Sequence, residues 1–346
     1  MQGAVVMQNE VNAAVSALDD RGNPQNFGWS RQPVFFYDPS LVWAARRSIS
    51  ESDRYIVFNP AHIAVFEIRD DGYLGHMGVT IVSIKEKKRI TRIFQTVLPL
   101  GSYDMPSGSQ NGAIRYRRKK NSLDFVPMEG KVRIIKVDIP VFAHRRNLRG
   151  KLVLTEPASA ESLVTNLPWR DGKNTFRYSR SSPWFTVEGV IQLGTTEIIF
   201  SGGNSWGIFD WSRGVRPRSG IRSWASACGL AGNRLVGFSV GYGSIDSEAG
   251  TENAFFTDGR LHKLDQVTFH TPSDWLAPWR FTSNDNRLEM TFSPLQERLD
   301  RRQAFFHLIA RRQVCGYFSG KVILDDGDAL EFKNLTGFVE QSRTRF

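Results

Sequence analysis

Apolar residues along most of this chain alternate with polar ones, which is the spacing of β-strands rather than of amphipathic helices. Residues 61–69 and 73–85 follow this pattern on either side of Asp70-Asp71-Gly72, a hairpin turn signal. Three later pairs of apolar segments flank Asp258-Gly259, Asn284-Asp285-Asn286 and Asp325-Asp326-Gly327. Successive hairpins at this spacing predict an antiparallel meander that closes as a barrel or sandwich.

Other segments are less regular. Residues 184–200 predict two strands around Gly194. In 131–142 the apolar series slips by one residue at Ile134-Ile135, which predicts a bulge there or a strand buried on both faces. Helical spacing is limited to two short candidates, residues 10–19 and 158–165, so the sequence predicts a mainly β protein with few short helices.

The length of 346 residues corresponds to about two domains. The turn-rich basic segment 212–222 is the best candidate junction, so we expect domains at 1–215, with an N-terminal extension, and at 216–346. No apolar run approaches the ~20 residues of a membrane span. The N-terminus shows no signal peptide, and a cytoplasmic location is therefore expected.

The charge distribution and the few potential metal ligands make nucleic-acid, metal and cofactor binding the less favoured functions. The net charge is +10, and part of the excess lies in the basic segments 115–120 and 144–151. No nucleic-acid-binding motif accompanies them, so a polyanion binder stays the less favoured alternative. The two cysteines, Cys228 and Cys315, form no metal-binding pair, and no two histidines have local ligand spacing. No nucleotide-binding motif is present, and we expect neither metal nor cofactor.

The segment 204–214 contains the first candidate site. If 205–211 is a strand, Trp206 and Asp210 share one face and Trp211 lies on the other. Both faces are apolar around Asp210, which predicts a partly buried carboxylate that is paired or has a raised pKa. Asp210 is therefore a candidate general acid or base, with Arg213 as a partner that tunes it. The alternative is a structural Asp–Arg pair that closes the strand end.

The second candidate site lies in residues 223–265. Trp224 is on a strand face opposite small alanines, which leaves space for a ligand or for close sheet packing. With Asp258-Gly259 as a two-residue turn, Phe255 faces His262, and Glu252 faces Asp265. Glu252, Asn253 and His262 are candidate polar ligand-binding groups. The alternatives are a solvated Glu–Lys–Asp cluster and a structural histidine.

Several segments together resemble a known family, the domain of unknown function 2804. They stand in the expected order and span almost the whole chain: FGWSRQP (27–33), ESDRYIVF (51–58), FDWSRGVRP (209–217), SWASACG (223–229), TENAFFTDGRLHKLD (251–265), GYFSGKV (316–322) and GFVEQ (337–341). This family is similar to carotenoid hydratase and AttH-like proteins, and more distantly to lipocalin-type Diels–Alderases.

The resemblance implies two lipocalin-like (calycin-like) antiparallel β-barrels or half-barrels, packed side by side, with an aromatic-lined cavity for a small molecule. It also implies that Asp210, beside Trp211, matches the acid of the hydratases. The sequence departs from the family pattern after Gly214, where arginines 216, 218 and 222 stand in place of aromatic residues. If they line the cavity, the ligand carries a carboxylate or phosphate.

The leading hypothesis is a protein that binds a small apolar or amphipathic metabolite in a β-barrel cavity. If it is an enzyme, we expect cofactor-free hydratase, isomerase or cyclase chemistry, with Asp210 and Arg213 catalytic. Trp206, Trp211 and Trp224 would then shape the site. A non-catalytic carrier or sensor of the same ligand is the alternative.

Overall fold

The computed structural model describes residues 8–304 and 307–345. Those residues contain no α-helix, and two short 3-10 helices lie at Pro39–Leu41 and Arg46–Ser48. The first twelve strands are β1 (Val15–Ser16), β2 (Gly28–Ser30), β3 (Phe35–Phe36), β4 (Ile49–Phe58), β5 (His62–Asp70), β6 (Leu74–Ser83), β7 (Lys88–Val97), β8 (Ile114–Arg118), β9 (Asn121–Met128), β10 (Val132–Ala143), β11 (Arg146–Thr155) and β12 (Leu163–Pro168). The remaining strands are β13 (Phe176–Leu193), β14 (Thr196–Phe200), β15 (Trp206–Val215), β16 (Ser219–Ala231), β17 (Arg234–Gly243), β18 (Ala254–Thr257), β19 (Arg260–Lys263), β20 (Val267–His270), β21 (Trp279–Ser283), β22 (Leu288–Ala304), β23 (His307–Ile323) and β24 (Ala329–Arg345).

The chain forms two compact units. Unit 1 holds the described residues up to Trp43, then Glu161–Pro183 and the residues from Gly214 onward, and unit 2 holds Ala44–Ala160 and Trp184–Arg213. The mainly β fold is confirmed, with its antiparallel sheets curled into lipocalin-like half-barrels. The division at residue 215 stays a prediction.

In unit 1, nine strands follow the order β19-β18-β17-β16-β24-β23-β22-β21-β20. Strands β19 and β20 are consecutive in the chain but lie at opposite edges of this sheet, so the segment that joins them passes from one edge to the other. A hydrophobic cluster fills one face of the sheet and includes Phe238, Phe255, Phe281, Phe292 and Phe318. Alternate residues of the same strands, such as Trp224, occupy the other face.

In unit 2, the main sheet follows the order β7-β6-β5-β4-β15-β13-β11-β10-β9-β8, with β14 beside β13. Tyr55 on β4 packs against Phe125 and Phe209 in the core, with ring centroids 4.7 and 4.8 Å apart. The predicted hairpin at Asp70-Asp71-Gly72 connects β5 to β6, and β13 and β14 flank Gly194 as expected.

The hairpin register predicted in unit 1 is confirmed. Thr257 pairs with Arg260 and Phe255 with His262, across a turn in which Asp258 and Gly259 both have positive φ. The turns at 284–286 and 325–327 likewise connect β21 to β22 and β23 to β24. The local turn chemistry therefore determined the pairing correctly.

Two local predictions were wrong. Residues 10–19 and 158–165 are not helical: the first contains β1 and isolated bridges, and the second leads into β12. Pairing with distant strands overrides the weak helical preference of these short segments. The bulge of β10 lies between Ile139 and Ala143, not at Ile134-Ile135, because Arg133 takes a core-facing position where the apolar pattern expects a hydrophobic residue.

Candidate functional site

A cavity of about 450 Å³ opens in unit 1, where the end of β17 and the following loop meet β20. That volume lies in the range of small-molecule sites. Its lining consists of Arg170, Gly241, Tyr242, Gly243, Ile245, Ser247, Gly250, Thr251, Glu252, Asn253, Gln266, Val267, Thr268 and Phe269. The rings of Tyr242 and Phe269 meet edge to face at 4.9 Å and supply an aromatic wall. The cavity thus combines an apolar wall with several polar groups.

Glu252 is a buried carboxylate in this lining. The Arg222 guanidinium donates to both of its oxygens, at 2.8 and 3.2 Å, and Arg177 Nε lies 3.2 Å from Oε1. Burial alone would raise the pKa of Glu252, but the two guanidinium groups outweigh that effect and lower the pKa to about 2. At neutral pH Glu252 is therefore a fixed anion rather than a proton donor.

Asn253 connects two segments of unit 1. Its Oδ1 accepts from the Gly241 amide at 2.7 Å, and its Nδ2 donates to the Asp265 carbonyl at 2.7 Å. These bonds hold the loop against β17, so Asn253 shapes the cavity wall. The sequence offered a cluster in which a lysine lies between Glu252 and Asp265. In the structure Glu252 forms its ion pairs with two arginines instead.

Lys263 takes a different place in this cluster. Its Nζ donates to Thr251 Oγ1 at 2.6 Å and to the backbone oxygens of Asn253 and Leu264 at 3.0 and 2.9 Å. Burial lowers the pKa of Lys263 to about 7, although nearby carboxylates act in the opposite direction. Thr251 and Asn253 line the cavity, so the Lys263 ammonium is one hydrogen bond from the lining.

Trp224 and His262 belong to unit 1 but do not line this cavity. The Trp224 indole donates to Ser239 Oγ at 2.8 Å and meets Phe338 edge to face. His262 Nδ1 accepts from the Asp325 amide at 3.1 Å, at the turn between β23 and β24. These contacts favour structural roles for both side chains.

Asp210 and Arg213 lie in unit 2 and do not pair with each other. Arg54 Nη2 on β4 lies 3.1 Å from Asp210 Oδ2, whereas Arg213 Nη1 lies 2.8 Å from Asp53 Oδ1. Residues three apart on a strand point to opposite faces, so Arg213 cannot share the face of Asp210. The interpretation of Arg213 as the partner of Asp210 was wrong for this reason.

A charged row crosses one face of the unit 2 sheet. Arg54 pairs in register with Glu67 of β5, and His76 Nε2 of β6 lies 3.0 Å from Glu67 Oε2. The row thus runs Asp210, Arg54, Glu67 and His76 over four neighbouring strands, and every member is buried. Such a row requires mutual compensation, because isolated buried charges are costly.

The other face of β4 and β15 carries a second ion pair. Burial raises the pKa of Asp53, and the opposing effect of Arg213 does not cancel it. Trp211 is buried beside Arg213, with the guanidinium 4.6 Å from its ring centroid. Trp206 is only partly buried, at the start of β15.

The family model for the domain of unknown function DUF2804 matches residues 8–346. The chain belongs to this family. A search of curated proteins gave no match.

Solved structures show where else the DUF2804 chain's fold occurs. CghA in complex with Sch210972 has a TM-score of 0.55 at 10% identity, covering 87% of this chain and 89% of that one. An AttH-type protein from Nitrosomonas europaea has a TM-score of 0.51 at 14% identity, covering 85% and 92% of the two chains. At these identities the likeness shows a shared fold.

Within the DUF2804 chain, the three arginines that depart from the family pattern have different surroundings. Arg222 reaches the cavity wall through Glu252, whereas Arg218 is exposed and Arg216 is partly buried. Neither Arg216 nor Arg218 lines the unit 1 cavity. The arginine that does line the unit 1 cavity, and that could contact an anionic ligand, is Arg170.

Sequence reasoning missed Arg170, Arg177, Tyr242 and Lys263 in the DUF2804 chain. Lys263 is the lysine of the Glu–Lys–Asp cluster that the sequence offered as a solvated alternative, and its burial was not predicted. Arg177 lies 75 residues from Glu252, and no local pattern connects the two. Within residues 8–304 and 307–345, no cluster of three or more acidic, histidine or cysteine side chains is arranged to hold a metal ion. No helix in the same ranges is long and apolar enough to span a membrane.

Proposed function

We propose that unit 1 binds a small amphipathic molecule with an anionic group in the cavity between β17 and β20. The observation that carries this proposal is an aromatic wall combined with an arginine, Arg170, in the lining of one 450 Å³ cavity. Apolar burial against Tyr242 and Phe269 supplies affinity, and a cation fixes the polar end of the ligand.

The charge balance of the lining favours an anion. Glu252 is neutralised by two guanidinium groups, so it does not compensate Arg170. The Arg170 side chain forms no hydrogen bond or ion pair with the residues that the structure describes, and it is exposed. A ligand carboxylate, sulfonate or phosphate would satisfy this guanidinium.

Two fluorescent probes test the proposal: the anion anilinonaphthalene sulfonate and the uncharged phenylnaphthylamine. We expect Arg170→Gln to weaken binding of the anion about tenfold, the effect of one modest charge-assisted contact, and to leave the neutral probe unchanged. Tyr242→Ala should weaken both probes, and Arg218→Gln, an exposed arginine outside the cavity, neither. Equal binding of the anion by the wild type and Arg170→Gln would contradict the proposal.

Cofactor-free acid–base catalysis in unit 2 is a second candidate function, favoured by the buried row from Asp210 to His76. In this mechanism Asp210 or His76 exchanges a proton with a bound molecule. A carrier or sensor, by contrast, would bind its ligand without converting it. Ligand that co-purifies from the native host, incubated with fresh protein, separates the two. Conversion by the wild type and by the control Asp258→Asn, but not by Asp210→Asn, would support catalysis.

A further inference from the structure

One contact in unit 1 joins a hydroxyl of the cavity lining to a buried amine. Thr251 is almost fully buried, and its Oγ1 lies 2.6 Å from Lys263 Nζ. A nucleophile within hydrogen-bond reach of a base, with the base held by further groups, is the arrangement that activates hydroxyls in enzymes. Here the backbone oxygens of Asn253 and Leu264 hold the lysine.

We propose that Thr251 and Lys263 form a nucleophile–base pair for acyl transfer from a small amphipathic ester. This inference rests on the proposed function, because the ester would occupy the same cavity. It names the substrate class that binding alone leaves open.

The surroundings of the amine support its role as a base. No carboxylate of the described residues lies within ion-pair distance of Lys263, and its ammonium lies 5.5 Å from the Trp29 ring centroid. Burial lowers its pKa to about 7, so the neutral amine is accessible near neutral pH. A base of this strength accepts a proton efficiently near neutrality.

Other charged groups face this lysine without removing its function. Glu252, Asp265 and Asp285 favour its charged form. Glu252 is already bound to arginines, and Asp265 accepts hydrogen bonds from Gln8 and Asn284 at 3.2 and 2.7 Å. Two more cations are close by. The Arg31 guanidinium lies 5.3 Å from the same Trp29 ring, and Arg287 donates to the Lys263 carbonyl.

The Thr251 hydroxyl has other neighbours. Gln8 Oε1 and the backbone oxygens of Leu264 and Asp265 lie at 3.2, 3.0 and 3.3 Å. A hydroxyl donates one proton, and Lys263 Nζ is the shortest of its contacts. While Lys263 is charged, its ammonium donates to Thr251 Oγ1 and the hydroxyl donates to the Leu264 carbonyl. Once Lys263 is neutral, the hydroxyl proton can turn to Nζ, and the amine still donates its own two protons to the Asn253 and Leu264 carbonyls.

The reaction balances without a cofactor. Thr251 Oγ1 attacks the ester carbon while its proton moves to Lys263 Nζ. The carbon–oxygen bond to the alcohol then breaks, and the alcohol leaves with the proton from Lys263. Water hydrolyses the acyl-threonine in the second half: it gives a proton to Lys263, and Thr251 regains one as the acid departs.

The experiment uses p-nitrophenyl butyrate with the full chain. We expect an initial burst of p-nitrophenolate, one butyryl group on the peptide that contains Thr251, and a rate that rises with pH around 7. Lys263→Arg, which keeps the positive charge but cannot act as a base, should slow acylation by at least about 100-fold. Thr251→Val should abolish the butyryl group, and Thr251→Ser should restore it.

Matched controls separate this reaction from general surface acylation. Thr291→Val and Lys321→Met change exposed residues of unit 1 and should acylate Thr251 at the wild-type rate. Wild-type protein that acquires no butyryl group on Thr251, or Lys263→Arg that reacts at the wild-type rate, would overturn the pair. Retained binding of anilinonaphthalene sulfonate in that case leaves the proposed function standing, whereas absent dye binding overturns the proposed function itself.

Discussion

Two buried carboxylates, Glu252 in unit 1 and Asp53 in unit 2, are each paired with arginine, yet their pKa values shift in opposite directions. Glu252 falls to a pKa of about 2, and the pKa of Asp53 is raised. Burial disfavours the charged form of both. The difference therefore lies in the neighbours of each carboxylate.

Glu252 has two guanidinium groups within 3.2 Å, and Arg222 contacts both of its oxygens. Asp53 has one guanidinium in contact, from Arg213; that of Arg133 acts on it only through space, and the nearby carboxylate of Asp210 opposes its ionisation. One guanidinium in direct contact does not offset the desolvation of a carboxylate here, whereas two in direct contact do. A buried Asp–Arg pair and a buried Glu–Arg pair can therefore differ in the charge state that they favour.

The largest expected effect comes from breaking the Glu252 cluster. Glu252→Gln leaves two largely buried guanidinium groups without their carboxylate, and we expect it to lower the free energy of unfolding by roughly 3–5 kcal/mol. Asp53→Asn loses the charged contact to Arg213 but also removes a carboxylate that is costly to ionise, so the two effects partly cancel. It should lower the free energy of unfolding by only about 1 kcal/mol.

Urea denaturation at pH 7 measures both losses. Arg213 keeps its bonds to the backbone oxygens of Pro106, Ser52 and Ser212 in the Asp53→Asn protein, which is why its loss is small. An equal loss in the two variants would show that the number of arginines does not separate the two carboxylates.

A smaller effect appears as pH dependence. The pKa of Glu252 is lower in the folded chain than its ordinary value of 4.5, so its contribution is complete above pH 4.5 and disappears as pH falls through about 2. The difference amounts to roughly 3 kcal/mol. The stability gap between wild type and Glu252→Gln should therefore close at low pH.

For Asp53, the stability contribution of the carboxylate changes with pH in the opposite direction. Because its pKa is raised on folding, its ionisation costs stability, and protonation at low pH removes that cost. The wild type should gain stability relative to Asp53→Asn as pH falls. Parallel curves for the two variants would contradict the opposite shifts.

The sequence predicted the parts of this fold that depend on local chemistry. Asp258-Gly259 specifies its hairpin because both residues adopt positive φ, and the register of Phe255 and His262 follows from the turn. The opposite orientation of Asp210 and Arg213 could also have been predicted, because side chains alternate between the two faces of a strand.

The partners of the buried charges could not be predicted in the same way. Arg54 lies 156 residues from Asp210, and Arg177 lies 75 residues from Glu252. Those contacts depend on which strands become neighbours, and nothing in either local segment specifies that. Arg133 explains the misplaced bulge in β10. Its guanidinium stacks 4.1 Å from the Phe209 ring centroid in the core, so a polar residue occupies an inward position and the apolar pattern shifts there although the strand is regular.

The smallest effect distinguishes the two arginines of the Glu252 cluster. Arg222 donates two hydrogen bonds to the carboxylate and Arg177 one, and a lysine reproduces one contact but not a fork. Arg222→Lys should therefore cost about 1 kcal/mol more than Arg177→Lys, the net value of one hydrogen bond. Both variants keep the charge, so their difference in urea denaturation reports geometry alone. An equal loss of unfolding free energy in the two variants would mean that the number of positive charges, and not the two-bond contact of Arg222, keeps Glu252 ionised.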